Sequence, residues 1–461
     1  MSILMLFAVD GKCRTYTFYL IVRKITLSMH RLFRHIYRYK LLYAGLLLYM
    51  TFFVSVLGTG WFDVFFSGPA LHAGAKGIDF LQLPRGAWAF WHGGSLDGAP
   101  LADGSAYAKN EVVNDNVYHP LFTLTLGTLF ASFSPGGAWL LWLWFKCILS
   151  LCALRIFYLE FHTSRYIQLA MFLLTANLSV YLELAAGQFQ FLVNFFIFLL
   201  LITLVKRAPG FLSGMLYWLG LLVKPIGLLF APVLLLKRRW LTVAIGLSLF
   251  ALNTLLMRGI SGYYIDGLVS NILHPWNPGP NQIVTLYALL HSIFNEPALV
   301  SSLIRDGILG LLLLFVSWRR IDVSKAIFLM VVYFLCFYNQ VYEYDWSVLA
   351  YVCAICLVCC PSFQTRFSRV CLLLICLPSC FIVLRLFHLD VSVQGSIGEV
   401  PGVFAWQVMV FSKVVPLLLL TGSVLASDLQ VLMQRCKALL QTLHLAKIDQ
   451  RGDEVKGSLI P

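Results

Sequence analysis

Between residues 41 and 425 the chain passes through twelve apolar stretches, most of them closed by a basic residue, a glycine or a proline. They are 41–61, 137–158, 166–184, 189–205, 210–223, 225–236, 240–257, 298–317, 326–338, 347–361, 370–388 and 403–425. An α-helix needs about 17–25 apolar residues to cross a bilayer, and shorter ones manage by tilting or by thinning the lipid. Inside hydrocarbon every backbone amide and carbonyl must bond within the protein, which a helix does turn by turn. The expected fold is therefore an all-α integral membrane protein with about twelve transmembrane helices, the pair around Lys224 forming a hairpin that need not span fully. Composition agrees: 60% of residues are hydrophobic and 12% charged, against about 25% charged in soluble domains. So little charge excludes a soluble enzyme, a secreted disulfide scaffold and a disordered chain together.

The charge that remains sets the topology. A further apolar stretch, Tyr118 to Phe133, would be a thirteenth span, but crossing there would put Lys206-Arg207, Lys237-Arg238-Arg239 and Arg319-Arg320 on the side opposite the basic amino terminus. With that stretch on the outer surface or re-entering, 25 Lys/Arg are cytoplasmic or on cytoplasmic helix ends, 6 outside and 3 within spans, while 14 acids lie outside or near that face and 7 inside. The positive-inside rule selects this arrangement. It gives a basic cytoplasmic segment over 1–40, a polytopic domain over 41–425 with outer loops at 62–136 and 258–297, and a cytoplasmic tail over 426–461. The first segment reads as a basic stretch on anionic lipid, with Met29 as an alternative start. The net charge of +13 comes from basic residues standing singly between apolar runs, so nucleic acid is not an expected partner. "CAICLVCC" has zinc-like gaps at Cys353, Cys356, Cys359 and Cys360 but no polar loop to present them, and packing between helices is the expected role.

Three outer segments are too long or too polar to be simple connections: 63–116, 258–297 and 338–346. No GxxxxGK[ST] phosphate loop occurs anywhere, so chemistry is expected outside and without nucleotide. In "GIDFLQLPRGAWAFW", Asp79 heads an amphipathic stretch at the interface, where it can cap a helix or act as a partly desolvated general base. Asp97 and Asp103 lie in a glycine-rich stretch and read as turn formers. Gly187-Gln188 breaks two apolar runs, and the amide can satisfy the turn or donate to a sugar or phosphate. Lys224, at a hairpin tip, either snorkels to the interface or meets an anion. Asn281-Gln282 opens a helix after a proline-rich turn, which His274 is expected to cap, with a role as ligand or acid as the alternative. Glu343 and Asp345 have an E-x-D spacing that two carboxylates alone make a weak divalent site; no metal or other cofactor is assigned, and a divalent ion stays open.

The order of an interfacial Asp79, then "YHPL", "GQFQ", "KP", "LLLKRRW" and "PNQIVTLYALL", over roughly residues 79 to 290, resembles glycosyltransferase family 87. The resemblance implies a GT-C enzyme that moves mannose or a related sugar from a polyprenyl-phosphate donor to a lipid or glycan acceptor, among membrane lipids, on the periplasmic or luminal face. Asp79 takes the place of the family's catalytic acid. Tyr118 and Pro120 match its Tyr-Pro-Pro-Leu signature, with His119 in place of the first proline. Gly187 and Gln188 match its Gly-Gln turn, although Gln190 stands where Asn is usual. Lys224-Pro225 and the basic cluster ending at Trp240 match, as does Asn281-Gln282, with Ile283 replacing Ser. The expected substrate-binding set is Tyr118, His119, Gln188, Lys224, Asn281 and Gln282, joined by Asp345 from the third outer segment. The expected location is a bacterial inner membrane, with the endoplasmic reticulum as the other host. The competing class is a transporter or lipid-linked-sugar flippase; the halves show no internal repeat, and Lys146, Glu183, Arg385 and Lys413 are few charges within spans.

Overall fold

The computed structural model describes residues 37, 39–59, 61–62, 77–96, 116–260, 264–268, 285–294, 298–317, 321–338, 341–376, 392–395, 398–401, 404, 406–428 and 430. Among these, four helices are long and apolar enough to cross a membrane: Lys40–Gly58, Pro135–Phe161, Ile167–Ala186 and Trp406–Asp428. Shorter apolar helices accompany them at Pro120–Ala131, Gln190–Val205, Gly210–Val223, Pro225–Leu236, Trp240–Leu256 and Val323–Phe337, so the described residues support a helical membrane body without establishing twelve crossings. In chain order the helices used below are α1 (Lys40–Val54), α2 (Ile78–Trp91), α3 (Pro120–Ala131), α4 (Pro135–Phe161), α5 (Ile167–Ala176), α6 (Leu178–Ala186), α7 (Gln190–Val205), α8 (Gly210–Val223), α9 (Pro225–Leu236), α10 (Trp240–Leu256), α11 (Leu286–Phe294), α12 (Ala298–Ser317), α13 (Val323–Phe337), α14 (Ser347–Cys359), α15 (Arg366–Cys376) and α16 (Trp406–Asp428).

Burial sorts these helices into two layers. Helices α7, α13 and α14 bury side chains on nearly every face, and their sequences are apolar all round, as a helix enclosed by others requires. Helix α4 has one buried face, carrying Trp142, Lys146 and Cys147, and an opposite face on which Leu140, Leu141, Trp144, Ile148 and Leu151 are exposed. An exposed face of that composition suits lipid and would not suit water.

Three local departures shape the site. The apolar run 166–184 is two helices, broken at Asn177, whose backbone is extended and whose side chain caps α6 by accepting from Ser179 N at 3.0 Å. Lys224 is extended because the next residue is Pro225, so α8 ends there and the chain re-enters as the 3-10 turn Pro225–Phe230 that opens α9. Helix α3 covers twelve residues, or about 18 Å at 1.5 Å per residue, short of the roughly 30 Å hydrocarbon core. It packs on α2, where a Cβ at Gly127 would meet Leu83 O at 2.7 Å.

The body is helical, as expected; beside it Ser392–Gly395 and Gly398–Pro401 pair as a short antiparallel ladder, with Gln394 opposite Glu399.

Candidate active site

Two glycines build the centre. Gly77 (φ 79°) precedes α2 and Gly187 (φ 75°) follows α6, both in the left-handed region that only glycine enters freely. Gly77 N donates to Ala185 O at 2.8 Å, and a Cβ at Gly187 would lie 2.7 Å from Phe80 Cβ. The two turns are thus pressed together, which brings residues more than a hundred positions apart into contact. Asp79 lies in the first turn of α2, where the helix dipole favours a carboxylate, while Gly77 occupies the capping position. Gln82 Nε2 donates to Asp79 Oδ1 at 3.1 Å, and Gln188 Nε2 donates to Asp79 Oδ2. Beneath them Trp142 stacks on Phe80 (5.7 Å) and lies 4.7 Å from the Phe189 ring, an apolar floor under a half-buried carboxylate.

A second turn, Glu343–Trp346, lies between α13 and α14 and faces the first. Asp345 is 5% exposed; its Oδ1 sits 3.6 Å from Lys224 Nζ and its Oδ2 accepts from Tyr342 N at 2.9 Å. Burial raises the Asp345 carboxyl above the ordinary range, and the Lys224 ammonium and the Tyr342 amide oppose that rise. Lys224, 26% exposed, also lies 5.3 Å from the Tyr344 ring centroid. It therefore faces a carboxylate and an aromatic ring in addition to the open side. The phenols of Tyr118 and Tyr344 are pushed well above their ordinary value by burial first, then by both Asp79 and Asp345. Two tyrosines that feel both carboxylates connect the two turns into one site.

Glu343 and Asp345 do not share a centre. Glu343 Oε1 is 3.2 Å from Lys413 Nζ on α16, whereas Asp345 faces Lys224. Among the described residues no group of three or more His, Cys, Asp or Glu is placed to hold a metal.

His119 belongs to the scaffold. Its Nδ1 accepts from Leu121 N (3.1 Å), capping α3, so Nε2 carries the proton and donates to Thr254 Oγ1 (3.1 Å). Burial lowers it to about 4, so it stays neutral at physiological pH. Gln190 turns away as well, donating to Asn194 Oδ1 at 3.0 Å, and Asn194 donates to Ser347 Oγ at 2.7 Å, tying α7 to α14. Asn281, Gln282, His274, Asp97 and Asp103 lie outside the described residues.

The sequence pattern passed over several residues that the fold gathers here: Gln82, Trp142, Lys146, Tyr342 and Tyr344. Lys146 carried a signal, a lysine in mid-span, but nothing in the sequence says which turn it reaches.

A family model matches residues 116–339, and what it describes is a glycosyltransferase; on a helical membrane body this indicates a membrane glycosyltransferase. The family is glycosyltransferase family 87, the one that the order of motifs resembles. The matched region holds Tyr118, Gln188 and Lys224 and leaves out Asp79 and Asp345. No curated protein matches the chain.

Proposed function

We propose that the protein transfers a hexose, with mannose as the first candidate, from a polyprenyl-phosphate donor to a hydroxyl of a lipid or glycan acceptor, inverting the anomeric centre. The observation that carries this reading is the convergence of Asp79 with Gln188, and of Lys224 with Asp345, at helix ends opposite the basic loops holding Lys206 and Lys237. By the positive-inside rule that end is the periplasmic or luminal one, and a bacterial inner membrane is the proposed host.

In the proposed step Asp79 accepts the proton of the acceptor hydroxyl as that oxygen bonds to the anomeric carbon. The bond from that carbon to the phosphate oxygen breaks, and the electron pair leaves with the lipid phosphate. Gln82 and Gln188 hold the carboxylate with amide donors and leave it ionised to act as the base. The Lys224 ammonium, now facing Asp345, is the cation available to the leaving phosphate. Tyr118, Tyr342 and Tyr344 each lie within reach of the charges of both Asp79 and Asp345.

The test uses purified protein in lipid with radiolabelled polyprenyl-phosphate mannose and a crude lipid and glycan extract. Wild type is expected to transfer label, and Asp79→Asn to lose about 10²–10⁴ in rate. Wild-type turnover in Asp79→Asn would remove the base from this scheme. Absence of transfer from any polyprenyl-phosphate sugar would reject the donor.

A further inference from the structure

Lys146 lies on the buried face of α4, about 16 Å along the helix from its start at 1.5 Å per residue. It has no exposure at all. A lysine so placed cannot snorkel, and an ammonium enclosed by protein at membrane depth is retained only where specific groups receive it. The group that receives it is a backbone carbonyl: Lys146 Nζ donates to Glu183 O at 3.0 Å. That same oxygen accepts from Gln188 N at 3.1 Å. One helical turn earlier on the same face, Trp142 Nε1 donates to Gly187 O at 3.0 Å. Two side chains four residues apart on α4 thus hold two carbonyls of the turn from which Gln188 reaches Asp79.

We propose that Lys146 is a positioning residue for the Asp79 carboxylate: its ammonium clamps the Glu183 carbonyl and so fixes the turn that presents Gln188 to Asp79. The inference rests on the proposed role of Asp79 and deepens it. Lys146 touches neither donor nor acceptor in this scheme; it acts through the turn and through its charge. The charges acting on Lys146 are those of Glu183 first and Asp79 second. The Glu183 carboxyl is itself buried, on the same helix that supplies the clamped carbonyl. Among the described residues, groups that act on Asp79 include Gln82 on its own helix, Gln188 on the turn, Tyr118 before α3, and Tyr342 and Tyr344 beside the Lys224–Asp345 pair. Lys146 is coupled to the Gln188 turn through the Glu183 carbonyl, and Gln188 in turn donates to Asp79.

The experiment compares wild type with Lys146→Met in lipid, reading the pH dependence of transfer and, by infrared difference spectroscopy, the titration of the carboxyl band that Asp79→Asn abolishes. Lys146→Met should lower kcat at least about tenfold, the size expected for losing a hydrogen bond from a charged group, with the donor KM within about twofold. It should also move the acid limb and the infrared titration to higher pH, because removing a positive charge favours the protonated carboxyl. A role limited to packing would lower the rate at every pH and leave both transitions in place, and that result overturns the proposal. If Lys146→Met does not fold, Lys146→Met with Glu183→Gln leaves no unbalanced charge yet still lacks the clamp. Its kcat should stay at least about tenfold down, and wild-type kcat there overturns the proposal. If wild type transfers no polyprenyl-phosphate sugar, the functional reading falls, and the infrared titration still decides this inference.

Discussion

The two turns that face each other across the site are built on different physics. The Gly187-Gln188 turn is set by backbone shape: a left-handed glycine, a second glycine packed against it, and carbonyls held from α4. The Glu343–Trp346 turn is set by charge, with each of its carboxylates facing a lysine from another helix, Asp345 to Lys224 and Glu343 to Lys413. A turn of the first kind fails when a methyl group is added. A turn of the second kind fails when a charge is left alone. The site therefore combines a sterically fixed half, carrying the carboxylate proposed as base, with an electrostatically fixed half, carrying the cation proposed for the phosphate.

The strongest test of the charge-built half is Lys413→Met. Lys413 and Glu343 are 1% and 7% exposed, and removing one partner leaves a buried charge uncompensated. The expected cost is about 3–5 kcal/mol, and adding Glu343→Gln should recover most of it; thermal melting of the two variants in detergent measures both. Equal melting temperatures for the single and double variants would show that the pair does not hold the turn.

Gly187→Ala tests the other half and should cost about 1–3 kcal/mol, from a Cβ driven toward Phe80 and an unfavourable positive φ. Transfer should fall with it, since Gln188 moves with the turn. No charge change should rescue this variant, and rescue by one would break the distinction between the halves.

The smallest effect concerns pH. The folded Asp345 carboxyl lies above its ordinary value because burial outweighs Lys224 and the Tyr342 amide. A carboxyl raised on folding binds its proton more tightly in the folded state, so its contribution to stability grows as pH falls through the folded value and is absent well above it. Asp345→Asn ends the cost of burying this carboxylate but leaves the 26%-exposed Lys224 without its counter-charge, so it should shift the melting temperature at neutral pH less than Lys413→Met does and flatten this contribution. A lowered melting temperature at neutral pH, with wild-type pH dependence, would assign the turn to packing alone.

Much of the site could be read as single residues and little of it as an arrangement. Asp79, Gln188 and Lys224 were legible because each polar residue interrupts or borders an apolar run, where burial makes it costly without a purpose. His119 occupied a motif position, yet both ring nitrogens are committed to holding α3 against α10, which no local pattern reveals. Glu343 and Asp345 suggested one shared centre, and α16 and the α8–α9 hairpin instead supply each with its own lysine. The short helices at 120–131 and 178–186 also follow from local signals: a histidine cap before Pro120, and Asn177 ahead of α6.

The sequence by itself determined the helical membrane body and the residues whose burial demands a reason, because hydropathy, proline and charge act over a few neighbouring positions. Only the tertiary structure decided which turn meets which. Contact between Gly77 and Gly187, or between Lys413 and Glu343, depends on how helices far apart in the chain pack, and that choice is made by side-chain shape and charge balance across the whole core.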